Sequence, residues 1–269
     1  MRLRAKTWTR KVSIMVRKIE DTKKVEQLFL GWQETPIWSC LQKIMGSIYV
    51  EDLENPLSAM VIIGDLCFFA GLPTEELVLY KPKELNQNFI IMVPQNEEWA
   101  ELIAKGYGDR ARKVSRYAIK KEPNVFDKEK LQEAVSTLPA GYSLRMIDEE
   151  VYDLCKANEW SRDLVSQYKD YPMYQKLGIG VVVFENETIV AGASSYTRYQ
   201  DGIEIEIDTR EDYRRKGLAY VCGAKLILEC LERNLYPSWD AHNLWSVALS
   251  EKLGYHFDHE YTAFEIWGY

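Results

Sequence analysis

Two glutamates on one face of a short strand, followed closely by three cations and a glycine, are the residues of this chain best suited to chemistry. The strand reads Ile203-Glu204-Ile205-Glu206-Ile207-Asp208, apolar on one face and carboxylate on the other. The turn after it reads Tyr213-Arg214-Arg215-Lys216-Gly217-Leu218-Ala219, and an apolar helical run continues to Leu231. A strand that delivers the chain to a helix N-terminus gathers unpaired backbone N–H groups at one point. The helix dipole and the flanking cations add positive charge there. The expected ligand is a pyrophosphate. Glu204 and Glu206 lie about 7 Å apart along the strand. They can serve as a general base if burial lifts a pKa toward neutrality, attract a cationic substrate, or simply face water.

The elements around this strand fall into two halves. Val25, Leu28, Phe29 and Trp32 make a helical stripe. Thr35-Pro36 then opens a second helix, with Thr35 as N-cap and Pro36 at the first helical position. Strands are expected at 48–50, 59–63, 66–70, 89–93 and 114–119, and helices at 96–105 and 127–138. Pro139-Ala140-Gly141 is the best boundary. The second half opens with a strand near 143–147 and a helix begun by Asp148-Glu149-Glu150. A looser segment from Asn158 to Gly178 holds Trp160, Tyr168, Tyr171 and Tyr174. Strands at 179–185 and 188–199 precede the glutamate strand and its helix. A short strand at 239–241, a helix that Asn243 can cap and Gly254 can stop, and two last strands over 256–267 complete the order. The domains expected are a basic tail (1–14), an N-terminal domain (15–139) and a C-terminal domain (142–269).

Composition sets the outer limits. The chain has 269 residues, 46% hydrophobic and 12% aromatic, enough for packed cores and too long for one minimal domain. Its net charge is −7, yet residues 1–24 hold nine Lys or Arg against Glu20 and Asp21. That basic stretch reads as a solvated tail, with a transit peptide or a nucleic-acid arm as alternatives, and Met15 stands where a start could lie. The acidic remainder argues against nucleic acid as the main partner, and no apolar run is long enough for a membrane span. Five cysteines without paired spacing suggest buried thiols in a reducing cytoplasm. The three histidines share no zinc-site spacing, so no metal is expected.

The element order, with Arg214-x-x-Gly217-x-Ala219 after the fourth strand of the second half, resembles the GNAT superfamily of acetyl-CoA-dependent N-acyltransferases. Asn243 and Ser250-Glu251-Lys252-Leu253-Gly254-Tyr255 are similar to its second helix signature. The resemblance covers roughly 142–269. The stretch Pro237-Ser238-Trp239-Asp240-Ala241 with Asn243 looks like the zwittermicin A resistance branch, which carries an additional N-terminal domain. The implied fold is α/β with a mixed sheet, preceded by a smaller domain that element order suggests is a degenerate duplicate. That domain would form one side of the substrate cleft.

The resemblance also implies the site. Backbone groups of Ile207 and Thr209 would bond the pantetheine arm of acetyl-CoA like an added strand. The N–H groups of Arg215, Lys216, Gly217, Leu218 and Ala219 would hold the pyrophosphate, with Arg214, Arg215 and Lys216 adding charge. A side chain at Gly217 would collide with the phosphate. Asn243 either reaches the coenzyme or only caps its helix. Glu204 or Glu206 would deprotonate the amine, and an N–H near Ile207 would meet the oxyanion. Many members place a tyrosine where this chain has Ser250. The thiolate's proton is then expected from Ser250, water, Tyr255 or a tyrosine of the 158–178 segment. The segment 160–175 is either an acceptor wall or core. The implied activity is acetylation of a primary amine on a small polar molecule, such as an antibiotic-like aminopolyol. The alternative is a non-catalytic acyl-CoA-binding regulatory module. A homodimer is compatible with either.

Overall fold

The structure is a computed structural model that describes residues 15–269; the basic tail expected over residues 1–14 lies outside the described residues. The first half builds β1 (Arg17–Lys18), α1 (Thr35–Leu41), β2 (Ser47–Val50), β3 (Ser58–Ile63) and β4 (Leu66–Gly71). It continues with α2 (Glu75–Val78), β5 (Phe89–Pro94), α3 (Glu97–Tyr107), β6 (Ala111–Ile119) and α4 (Lys128–Ser136). The second half opens with β7 (Tyr142–Met146), α5 (Glu149–Ala157), α6 (Tyr171–Leu177), β8 (Gly180–Glu185) and β9 (Thr188–Tyr199). It ends with β10 (Gly202–Thr209), α7 (Leu218–Glu232), β11 (Tyr236–Ser238), β12 (Asp240–Ala241), α8 (Leu244–Lys252) and β13 (Phe257–Trp267).

Local chemistry explains most of these elements. Every residue of β3 is buried, which is why it shows no alternation of polar and apolar positions. Helix α7 is apolar nearly all round because it is covered on two sides: Cys222, Leu226 and Ile227 join a core that also contains Leu131 and Ala134 of α4. The side chains of Asn96, Asp127, Asp148, Asp170 and Asn243 each accept a first-turn N–H and cap their helices. Thr35 does not cap α1. The N-cap is Glu34, with no side-chain cap bond, and the Thr35 hydroxyl donates instead to Glu204 across the molecule.

Two mixed sheets result, β1-β2-β3-β4-β5-β13-β6-β12 and β11-β10-β9-β8-β7. In each, antiparallel neighbours lead to one parallel pair, β4 with β5 and β10 with β11. The expected last two strands are a single long β13, since no turn interrupts 257–267. It runs antiparallel between β5 and β6, far from its sequence neighbours. The short strand expected at 239–241 is a crossing point. Ser238 still belongs to one sheet, whereas Asp240 pairs with Ala118 of the other. One core spans both halves, joining Ile37, Val61 and Phe68 to Val151, Val182 and Tyr196. Across it the Ser39 hydroxyl donates to the Arg198 carbonyl at 2.6 Å.

Candidate active site

The site begins where two parallel strands part. Strand β10 pairs with β9 along its whole length, from Gly202↔Tyr199 to Thr209↔Ala191. With β11 it pairs only from Gly202↔Tyr236 to Glu204↔Ser238. Beyond that point the chain of β11 turns through Trp239 into the other sheet. Among the described residues, the edge of β10 from Ile205 to Thr209 is therefore left open on that side. The backbone groups of Ile207 can bind an extended partner there, whereas the Thr209 N–H donates to Asp208 Oδ1 at 2.6 Å and the Thr209 carbonyl accepts from Arg214 Nε at 3.4 Å. A register shift between Glu204 and Ile205 accompanies the split, with Tyr196 of β9 as the extra residue.

The gap holds a cavity of about 530 Å³ whose walls come from both halves, including Glu34, Asp65, Arg116, Glu204, Glu206 and Asp240. Glu204 is 5% exposed. One of its oxygens accepts from the Thr35 hydroxyl, and Oε1 is buried without a hydrogen-bond partner. Burial, with Asp240 adding to it, raises its pKa to about 7, against the pull of Lys121. Glu206 lies two residues further along the strand. Burial and then the nearby carboxylates Asp65, Asp163 and Asp208 raise it to about 8. Burial is the first cause at both carboxyls, and like charge adds to it, from Asp240 at Glu204 and from three carboxylates at Glu206.

The opposite wall is organised by Arg116 of β6. Its guanidinium reaches Asp240 Oδ1 at 2.6 Å from Nη2 and 2.8 Å from Nε. The Tyr261 hydroxyl donates to Asp240 Oδ2 at 2.7 Å. The Asp240 charge, acting with the hydrogen bond, keeps Arg116 protonated despite its desolvation. At the β3–β4 turn, the Tyr196 hydroxyl donates to Asp65 and also lies 3.1 Å from the Asp65 N–H. His242 sits on the rim, where partial desolvation and then the Arg116 charge hold its imidazole below the ordinary range.

The turn between β10 and α7 has the shape of an anion cradle. Arg215 and Gly217 both adopt left-handed conformations, with φ of 63° and 80°. Left-handed residues in such a turn aim successive N–H groups to one side. The first amide of this stretch with an acceptor is Val221 N–H, on the Gly217 carbonyl at 3.2 Å. That leaves the amides of Leu218, Ala219 and Tyr220 to project from the helix start. Arg214, Arg215 and Lys216 are exposed around it. A Cβ on Gly217 would meet nothing within 4 Å, so in the unliganded chain only the backbone angle demands glycine.

Three sequence-based expectations change. Ser250 does not reach the cavity. It is fully buried, and its hydroxyl donates to the Val247 carbonyl at 2.8 Å within α8. Tyr255 is likewise remote in function, since its buried hydroxyl donates to the Pro237 carbonyl at 2.6 Å. The tyrosines of the 158–178 segment are core: Tyr168 and Tyr174 bond the Ser195 and Ser194 hydroxyls of β9 at 2.6 and 3.2 Å. Only Asp163 of that segment lines the cavity. Asn243 caps α8, accepting the Ser246 N–H at 2.9 Å, while its amide lies 2.8 Å from His242 Nε2. Glu34, Thr35, Asp65, Arg116 and Tyr261 were invisible to motif reading because each sits far along the chain from Glu204. Asp240 did lie in the stretch 237–241 that carried the narrower resemblance.

The sequence matches the family model for GNAT acetyltransferase over residues 26–264, both halves included. The chain belongs to the GNAT acetyltransferase family. It is similar to a GCN5-related N-acetyltransferase-like protein from Streptococcus suis, with 47% identity, a TM-score of 0.87, and coverage of 92% of this chain and 98% of that one. It is 27% identical over 248 residues to the uncharacterized N-acetyltransferase YdfB of Bacillus subtilis (strain 168), covering 86% of this chain and 89% of that protein. A tandem GNAT protein from the clavulanic acid biosynthesis pathway shares the fold at 10% identity, with a TM-score of 0.54 over 95% of this chain. This GNAT acetyltransferase is thus an enzyme of mixed α/β fold, and its family uses acetyl-CoA as co-substrate. No helix among the described residues is long and apolar enough to cross a membrane.

Proposed function

We propose that this acetyltransferase moves the acetyl group of acetyl-CoA to a primary amine of a small polar molecule, with Glu206 as general base. The observation that carries the reading is the cavity at the parting of β10 and β11. It has an open backbone edge on one wall and two carboxyls titrating near neutrality inside, and the strand that forms this edge runs on into the cationic turn. The division of labour we infer gives β10 and α7 the acetyl-CoA, and the other sheet, with Arg116 of β6, Asp240 of β12 and Tyr261 of β13, the facing wall. Ile207 would bond the pantetheine arm. The amides from Arg215 to Ala219 would receive the pyrophosphate, assisted by Arg214, Arg215 and Lys216, and Leu218 begins the helix whose dipole faces it. Asn243 would act through the helix it caps.

The reacting carbonyl then lies by the Ile207 N–H, next to Glu206 and about 7 Å from Glu204. The amine nitrogen attacks the carbonyl carbon, the N–C bond forms and the C–S bond breaks. The ammonium proton passes to the Glu206 carboxylate, and the Ile207 N–H meets the oxyanion. The departing thiolate is stable near neutral pH and takes its proton from water at the mouth. Ser250 and Tyr255 have hydroxyls committed elsewhere, so neither is assigned that role. Bringing amine and thioester together supplies much of the rate. An antibiotic-like aminopolyol, as the zwittermicin-type resemblance suggests, belongs to the acceptor class.

The test is thiol release with acetyl-CoA and a panel of amines, products being read by mass spectrometry. Glu206→Gln is expected to lower kcat by about 10²–10⁴-fold while leaving acetyl-CoA binding intact. Unchanged kcat in that variant would remove Glu206 from the chemistry.

A further inference from the structure

The cavity is far more acidic than one amine needs. Nine carboxylates line it against Arg116, Lys120 and Lys121. They are not evenly spread. Asp65 and Asp163 press on Glu206 at the end where the thioester is placed, whereas Asp240 acts on Glu204 at the end closed by the β10–β11 pairing, and Glu34 lines the same cavity. Asp240 is itself engaged by Arg116 and Tyr261. Glu204 is not so matched. Its Oε1 is fully buried, has no hydrogen-bond partner and belongs to a side chain on the cavity wall. A buried carboxylate oxygen left unpaired is costly, and the natural completion is a donor brought by a ligand. Lys121, whose ammonium lies 5.9 Å from the Trp38 ring centroid, draws on Glu204 without bonding that oxygen.

We propose that the acceptor carries a second ammonium group, about 6–7 Å from the amine that is acetylated, and that Glu204 Oε1 receives it at the closed end of the cavity. The proposal rests on the acyl-transfer reading above. The spacing follows from the strand: Glu204 and Glu206 are two residues apart on one face of β10, and a ligand lying along that face meets them in turn. The distal ammonium keeps its proton and undergoes no chemistry. It pins the substrate so that the other nitrogen stands by Glu206 and the thioester. The acceptor class is therefore a diamine or polyamine, aliphatic or carried on a cyclitol or sugar ring.

The experiment compares butylamine, 1,3-diaminopropane, 1,4-diaminobutane, 1,5-diaminopentane, 1,8-diaminooctane and a diaminocyclitol with the full-length enzyme and acetyl-CoA. The diamine that matches the strand spacing, or the cyclitol, is expected to exceed butylamine at least tenfold in kcat/KM. Which of the two wins distinguishes an open chain from a ring. Glu204→Gln is expected to bring that ratio close to one, chiefly through KM, and Glu34→Gln to reduce it partly. Calorimetric titration of 1,4-diaminobutane and butylamine into the enzyme without acetyl-CoA gives the same comparison independent of turnover. Equal use of monoamines and diamines, or a ratio that survives in Glu204→Gln, would overturn the inference and leave the acyl-transfer reading standing. No thiol release with any amine, despite acetyl-CoA binding, would overturn both.

Discussion

Glu204 shows how activity and stability oppose each other in a single side chain. Its folded-state pKa of about 7 lies above the usual 4.5, so the folded chain binds this proton more tightly than the unfolded one. The stabilising contribution is complete below about pH 4.5 and is lost as pH rises through 7. Glu204→Gln removes the ionisation, so it is expected to gain about 2–3 kcal/mol relative to the native enzyme between pH 5 and pH 8. Thermal melts at those two pH values check this; an identical offset at both would show that ionisation of Glu204 is not responsible. For Glu206 the sign concerns catalysis. A base must be ionised to accept a proton, so kcat/KM is expected to rise with pH and level off above about 8. In Glu206→Gln that inflection should disappear. The two carboxylates were visible from alternation alone. Their surroundings were not, because the hydroxyl that bonds Glu204 and the carboxylate that presses on Glu206 come from Thr35 and Asp65, which lie far away in the chain.

At the scale of elements, the turn between β10 and α7 carries its function in the backbone. Gly217 is exposed, with a φ of 80° and open space where a Cβ would stand. Gly217→Ala should cost about 1–2 kcal/mol of stability through the left-handed angle alone. Gly217→Asp should keep cooperative unfolding and yet abolish calorimetric binding of acetyl-CoA, because it sets an anion and a side chain into the cradle. Normal binding by that variant would misplace the pyrophosphate. The motif was legible because it is local: a strand, a glycine turn and a helix follow one another within the chain. The open edge of β10 was less so. It exists because β11 leaves the sheet at Trp239 and β12 joins β6, a decision made by pairing across the molecule. The helix caps show both cases, since Asn243 caps as its position suggests while Thr35 turns its hydroxyl to a distant glutamate.

For the molecule as a whole, the two halves are interlocked by the last strand. Strand β13 fills the position between β5 and β6, and the Arg116–Asp240 pair, with side chains 12% and 20% exposed, ties β6 to β12. Asp240→Ala leaves the Arg116 charge largely buried without its partner, so a loss of about 3–5 kcal/mol is expected in urea unfolding. Residues 1–139 expressed alone should lack cooperative unfolding, because β5 and β6 would then have no strand between them. A sharp two-state melt of that fragment would show that the first sheet closes without β13. By itself the sequence determined what near neighbours decide: the glutamate strand, the cationic turn, most helix starts and the family resemblance. Only the tertiary structure decided which strands part, where β13 inserts and which distant side chains surround the glutamates. The physical reason is that hydrogen-bonded turns and caps depend on residues a few positions apart. Strand pairing, burial and pKa depend on residues that the chain brings together only when it folds.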